Sequence, residues 1–204
     1  MVMMGYSLLL TVVAVVMAPW WLYRVTAADR AWLRLRVSGL PEVVKATVRG
    51  KRVIWVHAVS VGEVLAATRL IAELEAALGV GWVVVISTTT KTGQALAKER
   101  FGAGRVFYMP LDFAFAVRPV MRALKPAALV LIESEMWPRI LHEFRRAGAP
   151  VIVVNARVSD KSFGRSMKVR WLWFLRRRRR GRRWRRRDLV RGGCSICRWT
   201  LRLR

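Results

Sequence analysis

The sequence predicts an α/β protein built on a doubly wound parallel sheet and preceded by one transmembrane helix. Two observations support this fold class. Five short runs rich in β-branched residues alternate with amphipathic stretches between residues 51 and 155, and residues 1–23 carry no charge. Alternating strands and helices are typical of parallel sheets covered by helices on both faces. Apolar residues make up 54% of the chain, which excludes a disordered protein.

The N-terminal segment has the length and composition of a membrane span. Residues 2–23 are long enough to cross a bilayer as a helix. The aromatic cluster from Trp20 to Tyr23 is typical of a membrane interface, and the arginines that follow place the downstream chain in the cytoplasm. We therefore expect an anchor at 1–23 and a basic juxtamembrane segment at 24–50. The alternatives are a buried or monotopic helix and a signal peptide, but the basic n-region of a signal peptide is missing.

Residues 51–174 are expected to form the α/β lobe. Continuous apolar runs predict buried strands, and apolar residues three and four apart predict helices. The predicted strands cover 53–59, 82–87, 105–108, 128–132 and 151–155. The predicted helices cover 63–78, 92–101, 112–124 and 138–147.

Polar residues collect where the predicted strands end, and ligands of parallel α/β sheets bind at those carboxyl ends. A core needs none of these polar residues, so they predict one site along a single edge of the sheet. In strand order they are Ser60, Gly62 and Glu63; Thr89, Thr90, Thr92 and Gly93; Asp112; Glu133 and Glu135; and Asn155 and Arg157.

Some of these residues also fit structural roles. Ser60 and Glu63 have the spacing of a capping box, and the threonine run fits a turn that leads into a helix. His57 lies inside a predicted strand, where a hydrogen-bonded core histidine is the usual case. Neither a dinucleotide fingerprint nor a phosphate-binding P-loop motif is present in the sequence. With two scattered histidines and no cysteine in this lobe, we expect no metal site.

Five segments carry a family resemblance. In chain order they are IWVHAVSVGEV, STTTKTG, YMPLDF, LVLIESEMWP and VIVVNARVSDKSF. Together they resemble the N-terminal half of the 3-deoxy-D-manno-octulosonic acid (Kdo) transferases of lipopolysaccharide synthesis. The resemblance implies the Rossmann-like, acceptor-side lobe of a two-lobed GT-B glycosyltransferase on the cytosolic face of the bacterial inner membrane. It also implies inverting transfer of Kdo from CMP-Kdo to the lipid A precursor, without a metal ion or other cofactor.

The resemblance also implies roles for individual residues. Glu63 matches the general base, while Glu133 and Glu135 match an acidic motif that orients the acceptor or the base. Arg157 is a suitable partner for an acceptor phosphate or for the donor carboxylate. The residues that match positions lining the cleft are Ser60, Gly62, Thr89, Thr90, Thr92, Gly93 and Asn155.

Residues 175–204 form an arginine-rich tail that departs from the family pattern. The range 176–204 holds 14 arginines and one aspartate, which is half of the net charge of +26. Such charge blocks are typical of disordered interaction tails that bind nucleic acid or anionic lipid. An out-of-frame translation of GC-rich DNA would give the same composition. Cys194 and Cys197 lie in this tail, and a single pair of cysteines at this spacing is only weak evidence for a metal site. Family members continue with a second lobe that binds the nucleotide sugar.

A second functional hypothesis follows from the charge and the apolar N-terminus. The chain would then be a non-catalytic, membrane-tethered basic module that binds phosphorylated lipid. Binding of nucleic acid is disfavoured, because carboxylates at the strand ends repel phosphate and because the N-terminus predicts a membrane location.

Overall fold

The computed structural model describes residues 2–24, 26–133, 137–155, 189–190 and 200–203. Three helices precede the first strand: α1 (Val2–Arg24), α2 (Ala27–Val37) and α3 (Glu42–Val48). Strands and helices then alternate as β1 (Arg52–His57), α4 (Val61–Leu78), β2 (Trp82–Thr88), α5 (Lys91–Phe101), β3 (Val106–Tyr108), α6 (Ala114–Leu124), β4 (Ala128–Ile132), α7 (Pro138–Ala147) and β5 (Val151–Val154). A short 3-10 helix, Ala103–Arg105, leads into β3.

The strands β1 to β5 form a parallel sheet in the order β3-β2-β1-β4-β5, which is compatible with a Rossmann-like fold. Alternate residues of β1 face opposite layers. Trp55 packs in the core beneath α3, α6 and α7, whereas Val56 packs in the core beneath α4 and α5. The predicted α/β class with helices on both faces is confirmed.

The N-terminal region differs from the prediction. Over the residues that the structure describes, no helix is long and apolar enough to cross a membrane, so the predicted transmembrane anchor is not supported. The hydroxyl of Tyr6, near the start of α1, instead donates a hydrogen bond to Asp112 of the α/β lobe. The expected juxtamembrane segment contains two helices, of which α2 begins with a capping box formed by Thr26 and Asp29.

Two short strands lie in the range predicted to be a disordered tail. β6 (Leu189–Val190) pairs antiparallel with β7 (Thr200–Leu203), and β7 pairs antiparallel with β5 at the edge of the sheet. The exposed backbone groups of an edge strand such as β5 provide a template for this pairing. The other residues of this range, Cys194 and Cys197 among them, lie outside the described residues.

Candidate active site

The strand order reverses between β1 and β4. β2 and β3 are added on one side of β1, and β4 and β5 are added on the other side. Ligands of open α/β sheets bind in the crevice outside the carboxyl ends of the strands at such a switch point. Glu63 belongs to the first turn of the helix that follows β1, and Glu133 directly follows β4. The fold therefore brings two of the three predicted acidic site residues to this crevice.

The Glu63 carboxylate is held by the loop that precedes its own helix. One oxygen accepts the backbone N–H of Val59 at 2.8 Å, and the other accepts the hydroxyl of Ser60 at 3.0 Å. Ser60 occupies the N-cap position of α4, but its side chain makes no capping bond to the helix backbone. The reciprocal capping box is therefore not formed. Glu63 is half-buried and fixed in orientation, which suits a positioned base.

Glu133 has an unusual backbone conformation. Its φ of 68° lies in the left-handed region, which a glutamate rarely adopts. Its N–H donates to the carbonyl of Val154 at 2.8 Å, which ties it to the end of β5. Asn155, which directly follows β5, also has a positive φ, at 57°. Asparagine adopts this region at little cost, but a strained glutamate is typical of functional sites, so the end of β4 is consistent with a binding site.

The loop after β2 packs against the loop after β1. The N–H groups of Thr89 and Thr90 both donate to the carbonyl of Val59 at 3.3 Å. The hydroxyl of Thr90 accepts the N–H of Gly93 at 3.1 Å and so caps α5. The hydroxyl of Thr89 is buried and has no hydrogen-bond partner among the described residues. Thr90 thus has a structural role, whereas the Thr89 hydroxyl is a buried polar group without a partner among the described residues.

Two predicted glycines lie in different surroundings. A Cβ added to Gly93 would lie 2.8 Å from the Thr90 hydroxyl and 3.3 Å from the Val59 carbonyl, so this glycine is needed for packing. A Cβ on Gly62 would meet no atom of the described residues within 4 Å. Gly62 therefore leaves the start of α4 open to close approach by a ligand. Thr92 is exposed in the first turn of α5.

His57 is completely buried at the end of β1. Its Nδ1 lies 3.0 Å from the carbonyl oxygen of Ser87, which can only accept, so Nδ1 carries the proton. Burial lowers the pKa of His57 to about 4, and the nearby charge of Arg36 adds to this effect. His57 is therefore a neutral core residue, as its position in a strand indicates, and it is not a base for the site.

One face of α2 lies across this edge of the sheet, and the sequence did not reveal it. Asp29, Trp32 and Arg36 are three and four residues apart and share that face. The Trp32 indole donates to the carbonyl of Thr89 at 3.2 Å, and Lys91 pairs with Asp29 at 3.4 Å. The available signal was the spacing of Thr26 and Asp29, which is typical of a helix start.

Asp112, at the same edge of the sheet, stabilises the start of a helix. Its two carboxylate oxygens accept the backbone N–H groups of Arg139 at 2.9 Å and of Ile140 at 3.1 Å. These N–H groups open α7, the helix that follows the acidic segment 133–135. Asp112 thus fixes the start of the helix beyond that segment.

The described part of this edge combines a positioned carboxylate and an open helix start. Such a set can bind a polyhydroxylated substrate and remove a proton from one of its hydroxyl groups. Glu135 and Arg157, the two remaining predicted site residues, lie outside the described residues. Within the described ranges, no three His, Cys, Asp or Glu residues are grouped so that they could hold a metal ion.

Comparisons with known proteins find relatives of this chain. Residues 33–179 match the family model of 3-deoxy-D-manno-octulosonic-acid transferase. A 3-deoxy-D-manno-octulosonic acid transferase of Haemophilus influenzae is 33% identical over 118 residues, which are 57% of this chain and 27% of the relative. One from Bordetella pertussis is 37% identical over 115 residues, which are 53% of this chain and 26% of the relative. The match thus spans about a quarter of the length of these relatives.

Proposed function

Because the chain belongs to the 3-deoxy-D-manno-octulosonic acid (Kdo) transferase family, we propose that it is the acceptor-side lobe of an enzyme that transfers Kdo from CMP-Kdo to the lipid A precursor. The observation that carries this proposal is the Glu63 carboxylate, which is held by Val59 and Ser60 at the switch point of the sheet. The donor nucleotide would bind to a second lobe, as it does in GT-B enzymes.

The proposed reaction is a direct displacement. Glu63 accepts the proton of an acceptor hydroxyl while that oxygen forms a bond to the anomeric carbon of Kdo. The bond from this carbon to the CMP phosphate breaks, and CMP leaves with the electron pair, so the configuration inverts. The hydrogen bonds from Val59 and Ser60 hold the carboxylate in one orientation before the proton moves. Glu133 and Glu135 orient the acceptor, and Arg157 binds an anionic group of one substrate.

We place this reaction at a membrane, because the proposed acceptor is a lipid, and the family resemblance implies the cytosolic face of the bacterial inner membrane. Many apolar side chains of α1 are exposed, among them Leu8, Val12 and Val16. Together with the net charge of +26, this apolar surface supports contact with anionic membrane lipids.

The function is tested by Glu63→Gln in a chimera that joins residues 1–174 to the second lobe of a family member. Gln keeps the acceptor oxygen for the Val59 N–H but cannot take a proton. We expect unchanged folding and a loss of transfer by about 10²–10⁴-fold. Glu73→Gln is the matched control, since Glu73 lies on the same helix in an exposed pair with Arg69.

Near-normal turnover of Glu63→Gln would reject Glu63 as the base. If the unsubstituted chimera transfers no Kdo but the chain binds phosphorylated lipid, the second hypothesis holds, and the chain is a non-catalytic lipid-binding module. The charge of +26 and the exposed apolar surface of α1 are the observations that favour this second function.

A further inference from the structure

Arg36 is a buried cation for which the described residues provide no carboxylate. Only 7% of its surface is exposed. Its Nε donates to the carbonyl of Met109 at 2.9 Å, and its guanidinium carbon lies 4.7 Å from the centre of the Trp32 ring. Within the described part of the chain, it forms no ion pair with Asp or Glu. An arginine buried in this way is costly unless another group balances its charge.

Among the described residues, Arg139 is the one other buried arginine, and unlike Arg36 it is paired with a carboxylate. Arg139 is equally buried, and its Nη2 lies 3.0 Å from the Glu143 carboxylate. The contact with the Trp32 ring offsets part of the cost of burying Arg36, but an aromatic face carries no net charge. Burial accordingly lowers the pKa of Arg36.

The position of Arg36 connects it to the candidate active site. Met109 directly follows β3, and Trp32 donates to Thr89, which directly follows β2. Thr89 in turn donates to Val59, whose N–H holds Glu63. The path from Arg36 to Glu63 therefore runs along the carboxyl edge of the sheet, through residues in direct contact.

We propose that Arg36 is an anion-binding residue of this site, where its guanidinium pairs with a phosphate or carboxylate group of a substrate. This proposal rests on the proposed function only where it names the two molecules that could supply the anion. They are the acceptor, through its phosphates, and Kdo, through its carboxylate. A guanidinium suits both, because its fixed fork of N–H donors can bind two oxygens of one phosphate or carboxylate group at once. Trp32, stacked on Arg36, holds the guanidinium in place.

The test is a titration of the full chain, followed through the indole N–H signal of Trp32 in nitrogen–proton correlation spectra. Trp32→Phe assigns this signal among the ten tryptophans. Inorganic phosphate and free Kdo are the two probes, in about 0.3 M NaCl to screen the arginine-rich tail. Because the signal reports on the ring beside Arg36, binding of either anion to the tail does not move it.

We expect at least one probe to shift the Trp32 signal in a saturable way, and Arg36→Gln to weaken that binding about tenfold or more. The probe that saturates at the lower concentration identifies the source of the anion. Arg34→Gln is the matched control, because it removes one exposed charge from the same helix and should leave the affinity unchanged. Arg36→Lys keeps the positive charge but loses the forked N–H donors of the guanidinium, so it should bind the anion with intermediate affinity. It replaces Arg36→Gln as the test variant if Arg36→Gln does not fold.

The proposal is overturned if neither probe shifts the signal, or if folded Arg36→Gln and Arg36→Lys both bind like the unsubstituted chain. Failure of the proposed function is a separate result. Saturable, Arg36-dependent binding without transfer by the chimera would leave the anion site in place and remove only the enzyme activity.

Discussion

The hydroxyl of Tyr6 donates to the Asp112 carboxylate at 2.7 Å, although the two residues are 106 positions apart. The same carboxylate accepts two backbone N–H groups at the start of α7. One buried side chain therefore joins the N-terminal helix to the helix that follows the acidic segment 133–135. Burial raises the pKa of Asp112, against the opposite effect of these hydrogen bonds, and it raises the pKa of Tyr6 as well.

Removing the Asp112 carboxylate should destabilise the lobe. Asp112→Ala leaves the N–H groups of Arg139 and Ile140 buried without an acceptor, and we expect the free energy of unfolding to fall by about 2 kcal/mol or more. Tyr6→Phe removes one half-buried hydroxyl and should cost about 1 kcal/mol or less. Urea unfolding measures both values. Equal costs for the two variants would contradict the role of Asp112 at the start of α7.

Glu143 compensates a cluster of arginines on α6 and α7. One of its oxygens lies 3.0 Å from Arg139 Nη2 and 3.2 Å from Arg118 Nε, and its side chain is only 10% exposed. Glu143→Gln leaves the buried Arg139 without a counter-charge, so we expect a loss of about 3 kcal/mol in the free energy of unfolding. The exposed control Glu73→Gln should cost less than about 0.5 kcal/mol. Similar melting temperatures for the two variants would show that Glu143 is no more important than a surface charge.

The order of strands and helices was predictable because each element carries a local pattern. The predicted strand 128–132 and helix 138–147 match the observed elements at both ends. The first strand ends at His57, two residues before its predicted end, since the loop 58–60 turns to bind Glu63 and the threonine loop. α2 and α3 were missed because their charged residues resemble the basic flank of a membrane helix.

The site was predictable only where its residues follow strands directly. Glu63 and Glu133 meet this condition, since parallel topology brings every carboxyl end to one edge of the sheet. Arg36 and Trp32 do not, because they reach this edge from a helix that precedes the sheet, and local pattern contains no information on such a contact. The packing role of Gly93 likewise depends on a loop more than 30 residues away in the chain.

His57 should make the stability of the lobe depend on pH. Its pKa is about 4 in the folded lobe, against an ordinary value of 6.5, so the unfolded chain binds a proton first as the pH falls. The free energy of unfolding should therefore be highest above about pH 6.5 and lower at acidic pH, with a loss of about 2 kcal/mol from about pH 7.5 to about pH 5.

The contribution of His57 can be isolated by comparing variants. In His57→Asn, the side-chain amide can still donate to the Ser87 carbonyl, but nothing titrates there, so urea unfolding should lose this part of the pH dependence. The half-buried His142 on α7 is the control, because His142→Asn should retain the pH dependence that His57 contributes. A pH dependence that is the same in His57→Asn as in the unsubstituted chain would contradict the assignment.

Gly93 and Gly62 should respond in opposite ways to the same added methyl group. In Gly93→Ala the new Cβ meets the Thr90 hydroxyl and the Val59 carbonyl, so the cap of α5 must shift, and we expect a loss of about 1–2 kcal/mol in the free energy of unfolding. Gly62→Ala meets no described atom and replaces a helical glycine, so stability should rise by up to about 1 kcal/mol.

The same Gly62→Ala substitution separates a binding role from a structural one. If the substrate approaches the backbone at the start of α4, the methyl group blocks it, and the chimera should lose transfer activity although its lobe is more stable. Thermal unfolding and Kdo transfer, measured on the same preparation, provide the two readouts. Full activity in Gly62→Ala would mean that the open space beside this glycine is not used by the substrate, and the close approach at α4 would then be rejected.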